Sequence, residues 1–162
     1  KNWEGRWEII DGIADAMAPS PVFKHKIIVS NLNALFWNEL KDCQQCLAIQ
    51  TIDYYIKEDT VLKPDLVIVC GDAVNEKYLD FPPALVCEVL SPSTALKDRH
   101  TKFYIYQAQK IPYYIIISPI TEEVEIYVLE NGKYTLAQKG RDIKTEFNLN
   151  NCRTFIDFEE IW

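Results

Sequence analysis

The chain has 162 residues, 48% of them hydrophobic, and a formal net charge of −7. That length and composition predict a single domain over residues 1–162, with enough apolar side chain to bury a core. The acidic balance argues against a nonspecific nucleic-acid binder, whose affinity comes from Lys and Arg neutralising phosphates, although a bound metal can supply a local positive field.

Trp7-Glu-Ile-Ile10 and Ile13-Ala-Asp-Ala-Met17 flank Asp11-Gly12, a two-residue hairpin signal. Ser20-Pro21 then pairs a capping residue with a proline suited to the first helical position. Val29, Leu32, Leu35 and Phe36 follow at helical spacing, which predicts a helix to about Leu40. Residues 47 to 56 alternate as one strand. Two apolar strands are expected near 65–70 and 84–90, joined by a loop from Gly71 to Pro83. Thr94 is placed to cap a helix over 95–110, which Pro112 stops.

Tyr113-Tyr-Ile-Ile-Ile117 is a continuous apolar run, as in a central strand covered on both faces. Asn131-Gly132 joins strands at 124–129 and 134–138 into a second hairpin, and the tail from Thr154 reads as a docked turn or short helix. A helix between the strand of Glu88 and that of Tyr114 implies a crossover. The expected fold is α/β, with a mixed central sheet flanked by helices and with N-terminal and C-terminal hairpins. The edge strands of the second hairpin leave room for a homodimer.

No apolar run is long enough to span a bilayer, and Lys1-Asn-Trp-Glu-Gly-Arg6 lacks the apolar core of a signal peptide. Five cysteines, an odd number, predict free thiols in a reducing cytoplasm. Cys70 and Cys87 read as core residues. Cys43-Gln-Gln-Cys46 has metal-ligand spacing, but neither a second pair nor a histidine follows nearby, which argues against a zinc knuckle.

The chemistry concentrates in Lys63-Pro-Asp-Leu-Val-Ile-Val69 and Ala84-Leu-Val-Cys-Glu-Val-Leu90. Each apolar run carries one carboxylate, Asp65 and Glu88. A carboxylate among buried aliphatic residues is costly unless compensated. On neighbouring strands the two can reach one ion, and hard oxygen ligands suit Mg2+ or Mn2+. Asp98 and Lys102 are spaced i, i+4 on the following helix, with Ile105 and Tyr106 continuing that face. An exposed Asp–Lys pair is the simplest account of them; a helix leaning over Glu88 would instead aim the Lys102 ammonium at the acid pair.

Pro64-Asp65 with Glu88 resembles the PD-(D/E)XK nuclease superfamily. A longer ordered set sharpens the match: Glu8-Ile-Ile-Asp-Gly12, His25, Pro64-Asp65, Glu88-Val-Leu-Ser-Pro-Ser-Thr94, Asp98, Lys102, Tyr106 and Ile111-Pro-Tyr-Tyr114. Together they resemble the Uma-type restriction-endonuclease-like family, over nearly the whole chain. The resemblance implies a restriction-endonuclease-like core and a metal-dependent phosphodiesterase site, with Asp65 and Glu88 on the metal. The wider superfamily carries a lysine two positions after the acid, where this chain has Leu90. The resemblance places that lysine at Lys102.

Two further candidates join the set. His25 shares a helix face with Val29, Leu32 and Phe36, either as a core-edge histidine or as a contact to phosphate or water, a position at which the resembled family also has histidine. Glu8, beside Trp7 and Ile9, is either a solvated hairpin carboxylate or an extra acid for the site. Lys97, Arg99 and His100 read as surface charge.

The function expected is hydrolysis of DNA phosphodiesters by a metal-dependent nuclease. The alternative is a non-catalytic nucleic-acid or protein binding module on the same fold. No Gly-x-Ser-x-Gly, phosphate-binding glycine loop or His-Glu-x-x-His supports another hydrolase.

Overall fold

The computed structural model describes residues 7–16, 22–71 and 77–162. Ser20-Pro21 and Lys1 to Arg6 lie outside them. Strands β1 (Trp7–Ile10) and β2 (Ile13–Ala16) form the first hairpin. Asp11 and Gly12 take φ of 48° and 78°, the paired left-handed turn that Asp-Gly favours. Helix α1 (Phe23–Leu40) follows; its N-cap, Val22, is extended and makes no side-chain cap.

The strand expected over 47–56 is two strands. β3 (Cys46–Gln50) ends where Thr51 takes φ of 52°, and β4 (Tyr54–Lys57) leaves for a different sheet. There it pairs with β5 (Thr60–Leu62), a short strand that Glu58-Asp59 introduces. β6 (Leu66–Cys70) and β7 (Leu85–Val89) match the two acid-bearing runs.

The stretch after β7 is helical in three parts: α2 (Ala95–Lys97), a π turn (Asp98–Lys102) and α3 (Phe103–Ala108). Thr94 does not cap it through its side chain. The Thr94 hydroxyl oxygen accepts instead from the Ser91 N–H at 3.2 Å, closing the preceding turn. β8 (Tyr113–Ser118) returns parallel to β7. β9 (Glu123–Glu130) and β10 (Lys133–Gly140) form the second hairpin through Asn131 and Gly132, at φ of 51° and 79°. A third hairpin, β11 (Lys144–Leu149) with β12 (Cys152–Asp157), precedes a 3-10 turn over Phe158–Ile161.

The main sheet has strand order β10-β9-β8-β7-β6-β3, antiparallel except for β7 with β8. The crossover between those two strands is the helix of α2, the π turn and α3. Side chains of β6, β7 and β8 alternate between two cores. Leu66, Ile68, Leu85, Cys87, Val89, Ile115 and Ile117 pack toward Ile28, Leu32 and Phe36 of α1 and toward the third hairpin. Val67, Val69, Val86 and Ile116 pack with Tyr106, Ile111 and Tyr114 on the other face. Both faces are covered, which is why these strands read as unbroken apolar runs. A second sheet, β2-β1-β5-β4, brings Glu8 of the first hairpin to Lys102 of the π turn.

The free-thiol expectation is corrected. Cys43 pairs with Cys152, and Cys46 with Cys70; Cys87 is free and buried. Cys70 is therefore not simply a core residue. Among the described residues no helix is long and apolar enough to cross a membrane.

Candidate active site

Asp65 stands one residue before β6, and Glu88 lies inside β7. The β6–β7 register pairs Leu66 with Cys87, so its continuation sets Asp65 beside Glu88. The Val89 N–H donates to Asp65 Oδ2 at 2.9 Å, which holds the first carboxylate against the strand of the second. His25, in the first turn of α1, points Nε2 at the same oxygen from 3.3 Å. Helix α1 lies on the sheet face of Cys87; Asp65 is where its start meets the strand ends.

The opposite approach comes from the π turn. A π turn widens the helix by one residue and re-aims side chains. Here it turns Asp98 and Lys102 inward, with Lys102 Nζ 3.2 Å from Asp98 Oδ1. The same ammonium lies 2.9 Å from Glu88 Oε1 and 2.8 Å from Glu8 Oε1. The exposed-pair account of Asp98 and Lys102 is overturned, since each is 1% exposed. Tyr106, one turn on, donates its hydroxyl to Glu88 Oε1 at 2.7 Å.

Glu8 is fully buried, so the solvated-hairpin account of it also fails. Its Oε1 accepts the Lys63 N–H at 2.9 Å and its Oε2 faces Lys97 Nζ at 2.7 Å. Lys97 is thus part of the site wall and not a surface charge. Arg99 turns away to Glu125, and His100 is exposed. Leu90, at the position where the wider superfamily has lysine, packs in the apolar core with Tyr106.

Asp98, Lys97 and Tyr106 were not singled out as site residues from the sequence. The signal for two of them was present: positions 98, 102 and 106 repeat at i, i+4, i+8, so all three side chains share one helix face. Lys97 has no such signal, because its partner Glu8 is 89 positions away on another sheet.

The electrostatics follow from burial. Burial raises the Glu88 carboxyl well above the usual carboxylate range, and the nearby charges of Asp98, Asp65 and Glu8 add to that against the pull of Lys102. Asp98 is raised for the same reasons, burial first. Burial also acts on Glu8, but Lys102, Lys97 and the Lys63 N–H outweigh it and hold Glu8 below its ordinary value. Burial disfavours the Lys102 ammonium, yet Glu88, Asp98 and Glu8 drive its pKa well above the lysine range, so it stays charged.

Four acidic side chains thus face two ammonium groups and one imidazole. A divalent cation there would offset the cost that burial places on ionised Glu88 and Asp98. Among the described residues no three of these acids and His25 gather their ligand atoms within 4.8 Å of one another. A hard ion such as Mg2+ takes one or two protein carboxylates and fills its remaining positions with water and substrate. The Asp65 and Glu88 pair fits that demand.

Comparison with known proteins gives the family. The family described as "Uma2: Putative restriction endonuclease" matches residues 1–148. This chain belongs to the Uma2 family. An uncharacterized protein of Synechocystis sp. is 31% identical over 137 residues, covering 77% of this chain and 69% of that one. A crystal structure from Anabaena variabilis, titled as a putative nuclease belonging to DUF820, superposes with a TM-score of 0.78 at 15% identity. The match covers 99% of this chain and 92% of that one. It establishes that the Uma2 chain has the nuclease-like mixed α/β fold expected from its sequence.

Proposed function

We propose that this Uma2 chain is a metal-dependent nuclease that hydrolyses DNA phosphodiesters. One observation carries the reading most: Lys102 Nζ lies 2.9 Å from Glu88 Oε1, where it supplies the ammonium that Leu90 denies to β7. Asp65 and Glu88 would hold Mg2+ or Mn2+. Such an ion lowers the pKa of a water and neutralises charge developing on the phosphate.

The chain's own residues do the rest. Lys102 stays protonated and fixes Glu88 and Glu8, providing positive charge near the reacting phosphate. Tyr106 holds Glu88 Oε1 in place. His25 stands at Asp65, where its imidazole can contact the scissile phosphate or accept a proton from the attacking water. Glu8 is a positioning acid, tying the first hairpin to Lys102 and Lys97. In the reaction the water oxygen bonds to phosphorus, the bond from phosphorus to the leaving oxygen breaks, and that oxygen takes up a proton.

A second reading has its own support. Glu88 and Lys102 are only 2% and 1% exposed, which suits a structural ion network in a binding module that does not cleave. That module would show no metal-dependent rise in melting temperature, and Glu88→Gln would be neutral or stabilising.

The test is incubation of the purified chain with supercoiled DNA and with RNA, in Mg2+ or Mn2+, with and without a chelator. Metal-dependent nicking is the expected result. No cleavage of either polymer with either ion would overturn the activity.

A further inference from the structure

We propose that, once their two disulfides are reduced, Cys43, Cys46, Cys70 and Cys152 hold one zinc ion in a four-thiolate structural site. These four come from four separate places in the fold. Cys43 lies in the turn after α1, Cys46 opens β3, Cys70 closes β6 and Cys152 opens β12. The fifth cysteine, Cys87, stays apart in the core.

Their sulfurs nevertheless meet. The Sγ atoms of Cys43, Cys46 and Cys152 all lie within 4.8 Å of one another, and Cys70 Sγ touches Cys46 Sγ. The structure joins them as two pairs, Cys43 with Cys152 and Cys46 with Cys70. A disulfide needs two sulfurs and gains nothing from a second pair beside it. Three grouped sulfurs with a fourth beside them suit a tetrahedral thiolate centre, whose zinc–sulfur bonds of about 2.3 Å separate the ligand sulfurs by roughly 3.8 Å, with Cys70 drawn in from outside the 4.8 Å group.

Local structure supports the same geometry. In Cys43-x-x-Cys46 the Cys43 N–H donates to the Leu40 carbonyl at 2.8 Å, and the Cys46 N–H to the Cys43 carbonyl at 3.4 Å. That turn brings two ligands of knuckle spacing to one side. Cys46 and Cys70 are direct cross-strand partners, so their side chains leave the sheet on one face. Asn150 and Asn151, at φ of 50° and 70°, turn the tip of the third hairpin back so that Cys152 arrives over them. The Leu149 carbonyl oxygen lies 3.4 Å from Cys46 Sγ and 3.9 Å from Cys70 Sγ. A cavity of about 410 Å³, lined by Asp42, Cys43, Gln44, Gln45, Asn151 and Cys152, opens beside the cluster and gives a metal access.

Each disulfide first takes two electrons and two protons from a thiol or phosphine reductant, which gives four thiols; zinc then enters by ligand exchange. Four thiols release four protons to water, and four sulfur–zinc bonds form. Soft thiolates select zinc over Mg2+, so this ion is distinct from any held by Asp65 and Glu88. Its position explains why it is useful. Among the described residues strands β11 and β12 pair only with each other, and the ion pins their tip to the end of α1 and to the β3–β6 edge. Helix α1 carries His25, and β6 follows Asp65.

The test uses the whole chain, purified in a phosphine reductant without chelator, with metal measured by mass spectrometry and thiols counted after denaturation in chelator. The expected result is about one zinc per chain and five titratable thiols. Cys152→Ser and Cys43→Ser lose zinc several-fold, and Cys87→Ala keeps it. Should the serine variants fail to fold, Co2+ added to the metal-stripped wild-type chain gives thiolate-to-cobalt absorption. Absence of stoichiometric zinc overturns the site, whether the thiols number five or the chain shows two disulfides, and so does Co2+ binding without that absorption.

Discussion

Lys102 and Glu88 are 14 residues apart in the chain, yet Lys102 Nζ sits 2.9 Å from Glu88 Oε1 with both side chains buried. The crossover after β7 passes from α2 into a π turn, and that turn carries both Asp98 and Lys102 to the contact. A regular helix would place the Asp98–Lys102 face differently against β7. The network closes on Glu8 of the first hairpin, so three separate chain segments depend on one ammonium.

Removing that ammonium should be costly. Lys102→Met leaves Glu88 and Asp98 buried without their cation and Glu8 with Lys97 alone. Breaking a buried pair in this way costs about 3–5 kcal/mol. Urea unfolding of the variant checks it; a loss under about 1 kcal/mol would mean that these carboxylates are solvated instead.

Tyr106→Phe keeps the ring in its packing against Tyr114 and removes only the hydroxyl that donates to Glu88 Oε1. A hydrogen bond to a charged group contributes about 1.5–3 kcal/mol. The same unfolding measurement should show a loss in that range, smaller than for Lys102→Met. Unchanged stability would mean that Glu88 takes no support from Tyr106.

The pH response separates Glu8 from Lys102. The folded-state pKa of Glu8 lies below its ordinary 4.5, so its contribution is present above that value and is lost as pH falls. Lys102 is raised above its ordinary 10.5, so its contribution is present below that value and is lost as pH rises through the folded-state pKa. Glu8→Gln should therefore flatten the acid limb of the stability–pH curve. An acid limb identical to that of the wild-type chain would contradict the Glu8 contacts.

Local turn chemistry made much of this fold legible. Asp11-Gly12 and Asn131-Gly132 announce their hairpins because few residues accept paired positive φ. The acid-bearing strands were visible because burial on both faces leaves an unbroken apolar run. The third hairpin was missed: β11 is polar except at Phe147 and Leu149, and its turn is Asn150-Asn151 without glycine. The break at Thr51 was missed because Gln50 to Tyr54 keeps a strand-like alternation across it. At the site, Asp65 and Glu88 stood out as acids in apolar company. The burial of Glu8 did not, since it depends on Lys97 and Lys102 arriving from a remote helix. The convergence of Cys152 on Cys43 spans 109 positions and leaves no local trace.

Metal binding should be visible without turnover. An ion that binds only the folded chain stabilises it, by about 2.7 kcal/mol at a hundredfold excess over Kd. Mn2+ should raise the melting temperature of the wild-type chain and leave that of Asp65→Asn unchanged. An equal rise in both would place the ion elsewhere.

The most direct test compares DNA nicking by the wild-type chain and by Asp65→Asn in Mn2+, after both are shown to unfold at similar temperature. The asparagine carbonyl can still accept the Val89 N–H, so the strand contact survives while the charge is lost. The account predicts metal-dependent nicking by the wild-type chain and a loss of at least about a hundredfold in the variant, on the scale of a removed catalytic group. Equal nicking by the two proteins, or none by the wild-type chain, would contradict it.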